Sequence, residues 1–125
     1  MPKKKHLHPD DWGLFHEVRM TLAHYAQEYN FPLRNVEPLP RKKTRDRHGD
    51  CSRNRDIRIC LREFRNGKWS KKREKAHQIV DTMAHELAHL RYWKHGQLWM
   101  VEHAALLMDM ANDGVLDKIK KMCEE

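Results

Sequence analysis

The stretch His85-Glu86-Leu87-Ala88-His89 constrains this chain more than any other. On an α-helix, residues four apart share one face, so His85 and His89 can aim both imidazoles at one point while Glu86 follows beside them. The surrounding text has the same period. Ala76, Ile79, Val80, Met83, Leu87 and Leu90 recur at steps of three and four, as on a helix with a buried stripe. Leu and Ala between the histidines are good helix formers. Two neutral imidazoles and an adjacent carboxylate suit a zinc ion with a water at its side. His85 and His89 are therefore read as metal ligands, and Glu86 as the general base.

A catalytic zinc takes three protein ligands and keeps one position open. His95 is the candidate for the third, with a geometric condition attached. On an unbroken helix it would stand about 240° around from His89. The helix must therefore end or unwind between Arg91 and Gly96, with Gly96 as the stop signal. Glu102 is the reserve ligand. Glu102 and Asp81 are the carboxylates available to orient a ligand histidine, and Tyr92 and His103 are candidates for steadying an oxyanion. The plain alternative is a set of surface histidines in a chain that has ten of them.

At 125 residues the chain is one domain, read as residues 10–125 behind a basic tail at 1–9. No apolar run approaches the 18 or so residues of a membrane span, and Met1-Pro2-Lys3-Lys4-Lys5 is not a secretory signal. Cys51, Cys60 and Cys123 have no C-x-x-C spacing, which suits a reducing, cytoplasmic setting. Net charge is +7. Arg41, Lys42, Lys43 and Arg45 lead a basic run continued by Arg47, Arg53, Arg55, Arg58, Arg62 and Arg65, then by Lys68, Lys71, Lys72, Arg73 and Lys75. Such a field favours a polyanion such as DNA, and it equally suits an ordinary solubilising surface.

The periodicity predicts a helix over 11–29, capped by Asp10 or Asp11 and stopped by Asn30-Phe31-Pro32. Short strands are expected at 36–39 and 42–47, a turn at His48-Gly49-Asp50, and one half-buried strand over 55–64. That strand would line the substrate cleft and pair with an extended peptide. Asn66-Gly67 reads as the turn that ends it. The motif helix is expected over 70–92 with Ser70 as cap, followed by helices at 97–111 and 115–122. The class is α+β: a small antiparallel sheet packed on an N-terminal helix and the metal-motif helix.

Several residues together resemble the compact zinc peptidases of the SprT-like, WLM and YgjP-like group. His85-Glu86-Leu87-Ala88-His89-Leu90, then His95-Gly96 and Leu98-Trp99, are similar to their HELAHL segment and the histidine that follows it. Upstream, Gly49-Asp50-Cys51-Ser52 and Asp56-Ile57-Arg58-Ile59 resemble their G-S-C-S and I-R-L segments, with Asp50 where Ser is common. The metzincin pattern shares the His-to-His interval but has Gly where this chain has Tyr92. The resemblance implies a minimal zincin-like domain, Zn²⁺ as cofactor and hydrolysis of peptide bonds in a protein substrate. SprT-like relatives include proteases that clear DNA–protein crosslinks, which would give the basic surface a partner. The competing expectation is a non-catalytic, zinc-containing nucleic-acid-binding module.

Overall fold

The computed structural model describes residues 7–39 and 48–124. The strand expected at 42–47 and the basic residues Arg41, Lys42, Lys43 and Arg45 lie outside these described residues. Pro9 opens a single 3-10 turn (Pro9–Asp11) that leads into helix α1 (Trp12–Glu28). Leu14, Phe15, Val18, Leu22, Tyr25 and Ala26 form its buried face. The helix stops because Asn30 adopts a left-handed φ of +57°. The Asn30 and Phe31 amides then donate to the Gln27 and Ala26 carbonyls at 3.3 and 2.8 Å, a Schellman turn with Asn in the position glycine usually takes.

Three strands follow: β1 (Asn35–Pro38), β2 (Gly49–Cys51) and β3 (Asp56–Ile59), in the order β1-β3-β2. β2 runs antiparallel to β3, while β1 runs parallel to it. Strands β4 (Arg62–Arg65) and β5 (Lys68–Arg73) form a separate antiparallel hairpin. Its two-residue loop, Asn66-Gly67, has φ of +51° and +73°, the type I′ geometry that matches strand twist. Helices α2 (Ala76–His89), α3 (Gln97–Asn112) and α4 (Val115–Glu124) complete an α+β domain. Ile57 and Ile59 of β3 meet Val18 and Leu22 of α1, Ile79, Met83 and Leu87 of α2, and Leu106, Met110 and Ile119 in one core.

Three boundaries differ from the sequence expectation. Residues 55–64 are not one strand. Cys60 and Leu61 are both buried, and the chain leaves one sheet there to enter the next. Residues 48–50 are not a turn, because Gly49 and Asp50 pair with Ile59 and Arg58. Residues 70–73 belong to β5, so the motif helix begins at Ala76 behind Lys75, and Ser70 caps nothing.

Asp11 occupies the N-cap position of α1 without capping it. Its fully buried carboxylate takes two bonds from Arg62 (2.9 and 3.0 Å) and one from Arg73 (2.8 Å). Arg62 also reaches the Ser70 carbonyl, and Arg73 the carbonyls of Asp10 and Met122. One carboxylate thus ties together the start of α1, the hairpin and the end of α4. Arg62 and Arg73 are core connectors rather than members of a solvated basic face. Arg58 bonds Asp50 and Arg65 bonds Glu63, which thins that face further.

Gly49 shows how tightly β2 lies on α2. A Cβ there would come within 2.5 Å of the Thr82 methyl and 2.7 Å of the Arg58 carbonyl. Gly49→Ala is expected to destabilise by about 1–3 kcal/mol through overpacking. Gly13→Ala, in α1 with nothing within 4 Å of the added carbon, should be neutral or slightly stabilising. Chemical denaturation of the two variants checks the contrast, and equal effects would contradict it.

Candidate metal centre

The histidines converge because α2 ends at once after the second. His89 is the last helical residue, and the Leu90 and Tyr92 amides close the turn on the carbonyls of Leu87 and Ala88. The chain then swings back through a short loop. Gly96 does not stop α2; it is the N-cap of α3. This early end brings His95 to the other two. The Nε2 atoms lie 3.2 Å apart for His85 and His89, 2.8 Å for His89 and His95, and 3.2 Å for His85 and His95. These are the residues that form a metal-sized cluster among the described residues.

The donor set fits zinc. Tetrahedral ligands at about 2.0–2.1 Å from the ion stand about 3.3 Å from one another. Nδ1 of His89 lies 3.1 Å from the Tyr92 carbonyl, which assigns the ring proton to Nδ1 and leaves the Nε2 lone pair facing the cluster. Burial, and then the closeness of His89 and His95, pushes the His85 imidazole down to about 4. Burial shifts His89 down as well. Near neutral pH these two imidazoles are uncharged, as ligands must be.

Glu86 is 5% exposed, with Oε2 3.9 Å from His85 Nε2. Trp99 of α3, buried, forms a wall of the site. Its ring packs against His85 (4.7 Å between centroids) and His95 (4.6 Å), and its Nε1 donates to the His85 carbonyl at 3.4 Å. His103 stacks on the far part of this wall, 4.9 Å from Trp99 and 5.8 Å from His85.

The remaining sequence candidates sit elsewhere or act differently. Glu102 bonds Arg91 at 2.7 Å and is not in the cluster. Asp81 lies 3.3 Å from His103 Nε2, so both carboxylates are engaged outside the three-histidine cluster. The orienting acceptor found here is a backbone carbonyl, from Tyr92, whose side chain packs against the core. Sequence reading met Trp99 in the segment that resembles the zinc peptidases but gave it no role in the site. Its position four residues after His95, on the next helix, was the available signal.

β3 cannot accept a peptide strand, since both its edges are occupied. β2 has a partner on one side only among the described residues. Bonds from Cys60 to the His48 carbonyl and from Ser52 to the Asp56 carbonyl bracket its ladder. Antiparallel alternation therefore turns the backbone groups of Gly49 and Cys51 toward the open edge. Burial, and then the Glu86 charge, pushes the Cys51 thiol up to about 12, so it remains a neutral thiol beside that carboxylate. All three cysteines are free. No helix among the described residues is long and apolar enough to cross a membrane.

Compared with protein-family models, curated proteins and solved structures, the chain matches none. What fold and site define is a small α+β domain in which three imidazoles gather at the end of one helix, with a carboxylate next to the first.

Proposed function

We propose that this chain is a zinc-dependent metalloendopeptidase of the SprT-like kind, hydrolysing peptide bonds in a protein substrate. The observation that carries the reading is the convergence of three Nε2 atoms to within 3.2 Å, with buried Glu86 beside them. His85, His89 and His95 would hold the ion. When bound, zinc acidifies a water and polarises the scissile carbonyl. Glu86 takes the proton of the attacking water and returns it to the leaving amine. The Tyr92 carbonyl fixes the ring of His89, and Trp99 fixes the faces of His85 and His95, so little reorganisation is needed as charge develops. The open edge of β2 receives the substrate backbone as an added strand. The free cysteines suit a reducing, intracellular setting.

Nucleic-acid binding is the second reading, favoured by a separate cleft of about 710 Å³ at the opposite end of α2 from the histidines. Lys71, Lys72, Lys75 and Lys120 line it and outnumber the acidic Asp10, Glu74 and Glu124. It can coexist with hydrolysis, as in a protease acting on DNA-associated proteins, or belong to a non-catalytic zinc module. A structural zinc is closed by four protein ligands, and three gather here among the described residues. Cleavage of two unfolded proteins, one basic and one acidic, with and without DNA, tests both readings. Hydrolysis should stop with chelator and return with added zinc. Cleavage indifferent to chelator, or none under any condition, would contradict the peptidase reading.

A further inference from the structure

Next to the histidines a cleft of about 240 Å³ opens between the turn after β2 and the loop after α2, with His89, Trp93, Arg53 and Arg55 among its walls. The turn is firmly built. The Arg55 amide donates to the Ser52 carbonyl at 2.9 Å, the Asp56 amide to the Ser52 hydroxyl at 3.3 Å, and the Arg34 amide to the Arg55 carbonyl at 2.9 Å. Arg55 itself has a φ of +69°, a left-handed conformation in which glycine would be unstrained and arginine is not. Across the cleft, the Arg53 guanidinium lies over the Trp93 ring, 4.9 Å from its centroid.

The charges around this turn do not cancel. Asp50 is taken by Arg58, Asp56 by Arg34 and Glu102 by Arg91. Arg91, also in the wall, is committed to Glu102, to the Tyr29 carbonyl and to the face of Phe31. Arg53 and Arg55 have no ion-pair partner among the described residues, and both are exposed. Arg53 and Arg55 therefore bring two unpaired positive charges to the lining of a small cleft that shares a wall with His89.

We infer that this cleft is a specificity pocket for a carboxylate on the substrate, held by Arg53 and Arg55 close to the bond under attack. The inference rests on the peptidase reading and adds a substrate class to it: acidic peptides. Guanidinium forks match carboxylates in bidentate fashion. The volume is below that of pockets for drug-sized ligands and suits one side chain or chain end rather than a nucleotide. A guanidinium already covers a face of Trp93 on which a base would stack. The carboxylate can come from an Asp or Glu side chain or from the C-terminus of the substrate.

The test uses the zinc-loaded Glu86→Gln protein, which can bind without turnover, and three labelled peptides read by fluorescence anisotropy. One has an internal Glu and blocked ends, the second has Gln instead, and the third has Gln and a free C-terminal carboxylate. At least one carboxylate peptide should bind roughly tenfold or more tighter than the blocked Gln peptide. Which of the two gains identifies the source of the carboxylate. Adding Arg53→Gln and Arg55→Gln should make the three peptides bind alike. In the active enzyme the same pair of changes should lower kcat/KM for the carboxylate substrate selectively. Equal binding of all three peptides, or a preference that survives both arginine changes, overturns the inference. So does Arg-dependent displacement of the peptides by a single-stranded oligonucleotide, which would assign the pocket to nucleic acid. Failure of the peptidase reading would register differently, as absence of hydrolysis of any peptide by the wild-type chain.

Discussion

Glu86→Gln is expected to retain zinc at wild-type stoichiometry while slowing peptide hydrolysis by about 10²–10⁴-fold, the range for removing a general base. The reason is the division of labour in α2. His85 and His89 project their nitrogens into the cluster, whereas Glu86 stands beside it, buried at 5% exposure and 3.9 Å from the His85 nitrogen. Glutamine keeps the volume and a carbonyl acceptor but cannot take a proton. Initial-rate assays with metal analysis on the same sample check both parts. Unchanged hydrolysis would remove Glu86 from the chemistry, and loss of zinc would make it a structural support instead.

Asp11→Ala is expected to cost about 3–5 kcal/mol of stability, the usual penalty for removing one partner of a buried ion pair. Arg62, 8% exposed, and Arg73, 14% exposed, would lose the carboxylate between them. The hairpin, the start of α1 and the end of α4 would lose their common anchor. The effect depends on pH. Burial alone would raise the Asp11 carboxyl, but hydrogen bonds from Arg62 and Arg73 outweigh it and hold the group below its ordinary 3.8. A depressed carboxylate stabilises fully above the unfolded value, and the contribution fades as pH falls through the folded one. The gap between wild type and Asp11→Ala should therefore be full at neutral pH and shrink below about pH 3.8. Urea denaturation at several pH values measures it. A small, pH-independent difference would contradict the anchoring role.

The local signals in the sequence reached the helices and the histidines. Leu14, Val18, Leu22 and Tyr25 show the period of α1, and Ile79, Val80, Met83 and Leu87 that of α2. His85 and His89 could be placed on one face from spacing alone. His95 required a break in the helix, and a break occurs, though it comes at His89 rather than near Gly96. The misreadings arise where tertiary contacts override local preference. Gly49 and Asp50 read as a turn, yet they pair with Ile59 and Arg58 in a strand, where position 49 is glycine because Thr82 and the Arg58 carbonyl occupy the space of a side chain. Residues 70–73 read as a helix start, but Asn66-Gly67 folds them back on β4. Arg62 and Arg73 read as surface charge because nothing local reveals that Asp11, about fifty and sixty residues away, is buried between them. The Tyr92 carbonyl and the Trp99 wall follow from the loop that joins α2 to α3; the four-residue step from His95 to Trp99 is a local sign of the wall, and nothing local marks the carbonyl.

X-ray absorption at the zinc edge, on protein loaded with one equivalent of zinc, addresses the metal centre most directly. The expected spectrum has three imidazole nitrogens at about 2.0–2.1 Å and one light oxygen donor, and His95→Ala should lose one imidazole from that shell. Four protein donors, a sulfur in the shell, or a spectrum unchanged in His95→Ala would contradict a catalytic site built from His85, His89 and His95.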